Sequence, residues 1–113
     1  FQALPSLEFQ NLKVGILIND RSASAAEVFT AALKEHGRAW VMGEKSYGKG
    51  VVQKLFPLSN GAALQMTVSH YYTPSGRMIE GVGIAPNQVY PMPHELKDES
   101  YVEHVAEILI NRR

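Results

Sequence analysis

Two stretches carry side chains able to do acyl-transfer chemistry: "NDRSASAAE" at residues 19–27 and "SYGKGVVQ" at residues 46–53. In the first, small and polar residues lead into a segment of helical spacing, and Ser24 stands where that helix would begin. Read for structure alone, Ser24 is an N-cap, and Glu27 three residues on completes the capping-box pattern. Read for chemistry, the same position exposes a hydroxyl beside helix-end amides, among them that of Ala25, which could stabilise an oxyanion. The small residues Ala23, Ala25 and Ala26 would let a substrate backbone approach closely. These residues by themselves do not choose between Ser22 and Ser24.

A serine hydroxyl is a poor nucleophile until a base takes its proton, and a lysine can be that base when it is neutral. Removing an amine from water lowers its pKa from ~10.4 toward the working pH. Lys49, between Gly48 and Gly50 at the start of an apolar strand, is placed to be such a lysine. Lys34 and Lys45 have charged or polar neighbours and read as solvated. In an extended chain the period of two puts Lys49, Val51 and Gln53 on one side. The Gln53 amide could then orient the lysine amine without adding charge.

Competing motifs fail on context. "GEKSYGKG" at 43–50 resembles a phosphate-binding loop, but Gly50 replaces the hydroxyl residue that would ligate magnesium. The residues that follow, "VVQKLF", read as a strand, whereas a phosphate loop opens a helix. His36, His70, His94 and His104 fall in no metal-ligand spacing. Triads are assembled in space, and nothing ties Asp20 or Asp98 to a particular histidine. "GVGIA" at 81–85 is only a fragment of a dinucleotide fingerprint. No cofactor and no metal is implied.

The elements that must position these residues follow from periodicity. Val14 to Ile18 are continuously apolar, as in a strand buried on both faces. A helix is expected from Ser24 to His36, with Ala25, Val28, Phe29, Ala32 and Leu33 at helical spacing and Gly37 as its stop. "RAWVMG" at 38–43 reads as a second buried strand, so the three form a parallel crossover. Residues 51–58 and 63–73 read as antiparallel strands around the turn "SNGA". "PSGR" at 74–77 is another turn, residues 80–93 are irregular, and a closing helix over 100–111 carries Val102, Val105, Ala106 and Leu109 on one stripe. Residues 1–12 read as an arm or the remnant of a preceding segment.

A chain of 113 residues supports one domain, and 45% hydrophobic with 19% charged residues is the composition of an ordinary globular protein. Eleven basic and eleven acidic residues cancel, which gives no global reason to bind nucleic acid. Without cysteine there can be neither a disulfide nor a thiol nucleophile. The apolar runs are too short to span a bilayer.

"SASAAE" at 22–27, "SYGKGVVQ" at 46–53 and "LSNGAALQMTVSHYYTPSGRMIEGVGIAPNQV" at 58–89 occur in an order and at intervals that resemble the C-terminal processing (tail-specific) peptidase family. The resemblance covers roughly residues 14–90. It implies an α/β fold of the ClpP–crotonase class, built from β-β-α units with a mixed sheet and packed helices. It also implies hydrolysis of peptide bonds near protein C-termini by a serine-lysine mechanism, with protein or peptide tails as substrates. Carried over by motif, the nucleophile is Ser24, the general base Lys49, the lysine-orienting residue Gln53, and one oxyanion donor the amide of Ala25.

Members act outside the cytoplasm, so a periplasmic or cell-envelope location is implied. Residues 13–113 would be part of the catalytic domain. A PDZ domain and a glycine-rich segment giving the second oxyanion donor are expected upstream, and neither lies in these 113 residues. Activity is therefore expected of a longer protein rather than of this piece. Arg21, Ala26 and Asn87 depart from the residues usual at those positions. Two other classes stand beside this reading: a crotonase-like acyl-thioester enzyme, and a non-catalytic module that binds peptides by strand addition.

Overall fold

The computed structural model describes residues 11–91 and 99–111. The N-terminal arm, apart from Asn11 and Leu12, lies outside the described residues, as does His94. The elements run β1 (Gly15–Ile18), α1 (Ala25–Glu35), β2 (Trp40–Gly43), β3 (Val51–Pro57), β4 (Ala63–His70), β5 (Gln88–Val89) and α2 (Glu99–Ile110).

The strand-helix-strand unit expected at the N-terminal end is present. β1 and β2 pair in parallel, from Gly15 opposite Trp40 to Ile18 opposite Gly43. The helix between them ends at His36, after which Gly37 takes a φ of 66°. That left-handed turn carries little penalty for glycine. β5 lies inside the stretch read as irregular and adds to β2 in parallel, giving the order β1-β2-β5. At two residues and next to Pro91, it is too short to leave a periodic signal.

The core gathers Ile18, Ala31, Val41, Ile79 and Ile84, with Ile16 and Val28 packed against it. Each large aliphatic side chain fully buried this way contributes about 1.5–3 kcal/mol. β1 is less covered than a run of five apolar residues suggests: Ile18 is buried, Ile16 and Leu17 are half-buried, and Gly15 is exposed. Among the described residues β1 has a strand partner on one side only. α2 meets it at Gly15, where a Cβ would stand 2.0 Å from a Leu109 methyl. Of the stripe expected on α2, Val105 is buried and Val102 is half out in solvent.

The face that α1 buries is a correction to the sequence reading. Its buried residues are Glu27, Thr30 and Ala31, while Phe29 is 59% exposed. Of the residues at apolar spacing, Val28 packs against the core, but the fully buried side is that of Glu27, Thr30 and Ala31, since apolar spacing takes no account of polar residues with buried partners. Glu27 turns inward because a full set of donors meets its carboxylate there.

β3 and β4 form a separate antiparallel ribbon, from Val51 opposite His70 to Pro57 opposite Ala63. The register slips where Val52 faces Ser69 but Gln53 faces Thr67, which leaves Val68 as the extra residue of a bulge. Strand directions in the fold are thus mixed, parallel in one sheet and antiparallel in the other. No described helix is long and apolar enough to cross a membrane.

Candidate active site

Ser24 stands between the end of the β1 turn and the first residue of α1, with φ 57° and ψ −119°. It is the only non-glycine residue with positive φ among the described residues. A side chain in that region costs of order 1–3 kcal/mol, and such strain collects where a tight turn has to present a group. A sharp strand-to-helix turn that exposes a serine hydroxyl is one known use of this geometry. The Ser24 N–H donates to Glu27 Oε2 at 2.9 Å, the well-formed half of the capping box; the hydroxyl half is looser and makes no cap hydrogen bond.

Ser22 is engaged differently. Its Oγ accepts from the Asn19 N–H at 3.1 Å, and its own N–H donates to the Asn19 carbonyl at 2.9 Å. The hydroxyl of Ser22 is therefore folded back into the turn. The Arg21 N–H donates to Asn19 Oδ1 at 3.0 Å, and the Arg21 side chain is exposed. Ala25, exposed at the start of the helix, has an N–H that no described hydrogen bond takes up, as the first helical amides lack intrahelical acceptors.

Residues 45–50 are irregular and run straight into β3, so no helix N-terminus follows Lys49. The phosphate-loop geometry is absent. Instead the loop is strapped down on both sides. The Tyr47 N–H donates to the Ser22 carbonyl at 3.0 Å, the Gly81 N–H to the Gly48 carbonyl at 3.0 Å, and the Ser46 N–H to the Ile84 carbonyl at 3.1 Å.

Glu27 joins these pieces. Its carboxylate is 1% exposed and accepts from four donors: Oε1 from Ser46 Oγ and the Gly48 N–H, both at 2.6 Å, and Oε2 from the Lys49 N–H at 2.8 Å and the Ser24 N–H. A carboxylate offers about four lone-pair sites, and here each has a donor, which is what allows a buried acid to persist. One oxygen thus holds the backbone of both Ser24 and Lys49. The two residues, 25 apart in sequence, are brought side by side by a group that sequence reading had treated as a helix cap. The available signal was a glutamate inside an otherwise small and apolar helix start.

The surroundings of Lys49 differ from the expectation. Lys49 is exposed rather than desolvated. Val51 and Val52, further along the strand, are half-buried. The lysine that burial does affect is Lys34, read from sequence as solvated. It is half-buried, its Nζ donates to the Ala85 carbonyl at 2.6 Å, and its pKa is lowered chiefly by burial, with the nearby Arg77 acting the same way. Gln53 is exposed on the ribbon, and its Oε1 accepts from Gln65 Nε2 at 2.5 Å across the strands.

Comparison with known proteins fits this geometry. The family model described as "Peptidase family S41" matches residues 3–90. The chain belongs to that family. It is 46% identical over 86 residues to a carboxy-terminal-processing protease of Bartonella bacilliformis, covering 76% of this chain and 20% of that one. It is 45% identical over 76 residues to a carboxyl-terminal-processing protease of Picosynechococcus, covering 67% and 18%. Among solved structures, the photosystem II D1 C-terminal processing protease superposes with a TM-score of 0.72 at 32% identity, over 88% of this chain and 25% of that one. The mixed α/β architecture of this S41 chain is thus that of a processing-protease structure. The chain spans about a fifth of the length of these curated relatives.

Proposed function

We propose that this S41 chain carries the catalytic core of a serine-lysine endopeptidase that cuts peptide bonds near protein C-termini. The observation that supports it most is the single Glu27 oxygen that accepts from both the Ser24 and the Lys49 N–H, with Ser24 held at a positive φ where α1 begins.

In this mechanism Lys49 Nζ, as the neutral amine, takes the Ser24 hydroxyl proton while Oγ bonds to the scissile carbonyl carbon. The Ala25 N–H donates to the oxyanion that forms. The C–N bond then breaks, the new amine leaves with the proton carried by Lys49, and an acyl-serine remains. Water attacks that ester with Lys49 as base, releasing the carboxylate product and restoring the serine. The amine becomes a base when polypeptide covers it, and a substrate strand lying over Ser24 supplies such cover. Gln53 orients Lys49 in this reading. Its carbonyl has a second lone pair beside the one that Gln65 uses, so both contacts fit one amide.

The upstream PDZ domain, the second oxyanion donor and a periplasmic or envelope setting are proposed for the complete protein on the same family grounds. In the full-length protein, Ser24→Ala and Lys49→Ala should each abolish cleavage of a peptide with a free C-terminus while leaving the circular dichroism spectrum unchanged. Turnover that survives either substitution rejects the assigned roles. Thioester hydrolysis that persists in both variants would favour the crotonase-like alternative.

A further inference from the structure

Lys49 is gripped from two sides. Its own N–H goes to Glu27 on α1, and the next N–H along the chain, that of Gly50, donates to Glu80 Oε2 at 2.6 Å. The two peptide planes that flank the Lys49 Cα are therefore each fixed by a carboxylate, and the two carboxylates come from different parts of the fold. Glu80 follows the buried Ile79, and its neighbour Gly81 donates to the Gly48 carbonyl at 3.0 Å. The approach is close enough that a Cβ on Gly50 would lie 2.5 Å from the Glu80 nitrogen and 2.8 Å from Ile79 Cβ. On the far side, Gly50 accepts from the Tyr71 N–H at 2.6 Å.

Fixing both planes sets the direction in which the Lys49 side chain leaves the backbone. A base has to meet its proton within hydrogen-bond reach, and a displacement of about 1 Å can cost about 10²-fold in rate. We propose that Glu80 is a positioning residue for this reaction, acting through the Gly50 N–H to aim Lys49 at Ser24. The proposal rests on the serine-lysine reading above. Glu80 touches neither substrate nor the reacting atoms in it. What the role requires is an acceptor oxygen at the Gly50 amide, so a neutral glutamine retains it and an alanine does not.

The test is steady-state peptide cleavage by the full-length protein, corrected for the active fraction by titration with a serine-reactive probe. Glu80→Ala should lower kcat about 10–100-fold with KM unchanged. Glu80→Gln should restore kcat to within about threefold of the parent. Amide exchange at Gly50 should speed up in Glu80→Ala while that at Lys49, held by Glu27, stays protected. Should the alanine variant fail to fold, Glu80→Asp, one methylene too short to keep the contact, should show the same kcat loss in milder form. Unchanged kcat in Glu80→Ala or Glu80→Asp, with Ser24→Ala and Lys49→Ala inactive, overturns the role of Glu80 and leaves the dyad standing. Full turnover in Ser24→Ala or Lys49→Ala removes the dyad, and this proposal with it.

Discussion

Residues 18–50 and residues 51–70 are neighbours in the chain, yet they hold their shape by different means. In the first, β1, α1, β2 and the loop to Gly50 close around buried side chains, with Val41 and Met42 fully out of water and Glu27 wired to four donors. In the second, the β3–β4 ribbon has ladder hydrogen bonds and cross-strand pairs but, among the described residues, no core. Leu55 is 63% exposed and Leu64, Met66 and Val68 about half. A lone two-stranded hairpin is marginal in water, whereas a packed strand-helix-strand unit is not. The proposed site straddles this boundary. Ser24 and Lys49 take their backbone positions from the packed region, and Gln53 takes its position from the ribbon. The serine-lysine spacing should then survive disturbance of the ribbon, and the glutamine contact should not.

Removing Glu27 tests the packed side most severely. Glu27→Ala strands three backbone N–H groups and the Ser46 hydroxyl inside the fold, and leaving buried donors unmet costs about 1–3 kcal/mol each before water relieves some of them. A loss of about 3–5 kcal/mol is expected, read as a lowered midpoint in urea denaturation. Glu27→Gln should rescue only part of it, because its NH2 group would face two of the donors it replaces an acceptor for. A loss below about 1 kcal/mol would mean that the packed region does not depend on this carboxylate.

Two glycines sharpen the same contrast at smaller scale. Gly83 has φ +69°, and a Cβ there would meet the Ser46 carbonyl oxygen at 2.5 Å, so both strain and a backbone clash oppose a side chain. Gly61, in the ribbon's turn, has φ +81° but open space around it. Gly83→Ala should cost about 2–4 kcal/mol and Gly61→Ala about 1–2, the left-handed penalty alone. Equal effects in matched denaturation curves would show that the loop at 46–50 is not held as tightly as its hydrogen bonds imply.

How far the sequence revealed this arrangement depends on the kind of interaction. Elements resting on local signals were legible: α1 with its Gly37 stop, the β3–β4 hairpin around Gly61, and the strand on each side of α1. β5 was not, since two residues carry no period and their pairing with Met42 and Gly43 spans more than forty positions. The inward turn of Glu27 was also hidden. Hydrophobic spacing assigns a glutamate to solvent, and only the three-dimensional convergence of Ser46, Gly48 and Lys49 reverses that. Residue types left Ser22 and Ser24 open, and only the family resemblance singled out Ser24 with Lys49; the acceptor their N–H groups share was not legible at all. The burial expected of Lys49 failed because the apolar start of β3 predicts cover for Val51 and Val52, not for the lysine ahead of them.

The weakest expected effect concerns an ion pair between the packed region and the turn that follows the ribbon. Glu35, at the end of α1, accepts from Arg77 at 2.5 Å and from the Ser75 N–H at 2.7 Å, in the turn that follows the ribbon. The Arg77 contact, ahead of the opposing effect of burial and the further help of Ser75, holds the Glu35 pKa down at about 2 from an ordinary 4.5. A carboxyl whose pKa is lower in the folded state stabilises the fold above its unfolded pKa. That contribution is complete above pH 4.5 and is lost as the pH falls toward 2. Arg77 is 69% exposed, so solvent screening limits the pair to at most about 1 kcal/mol. Arg77→Met should therefore lower the melting temperature slightly at pH 7, and the difference from the parent should shrink between pH 4.5 and pH 2. A difference that stays constant over that window would assign the effect to packing of the arginine stem instead, and the turn at 74–77 would then be joined to the helix by contact rather than by charge.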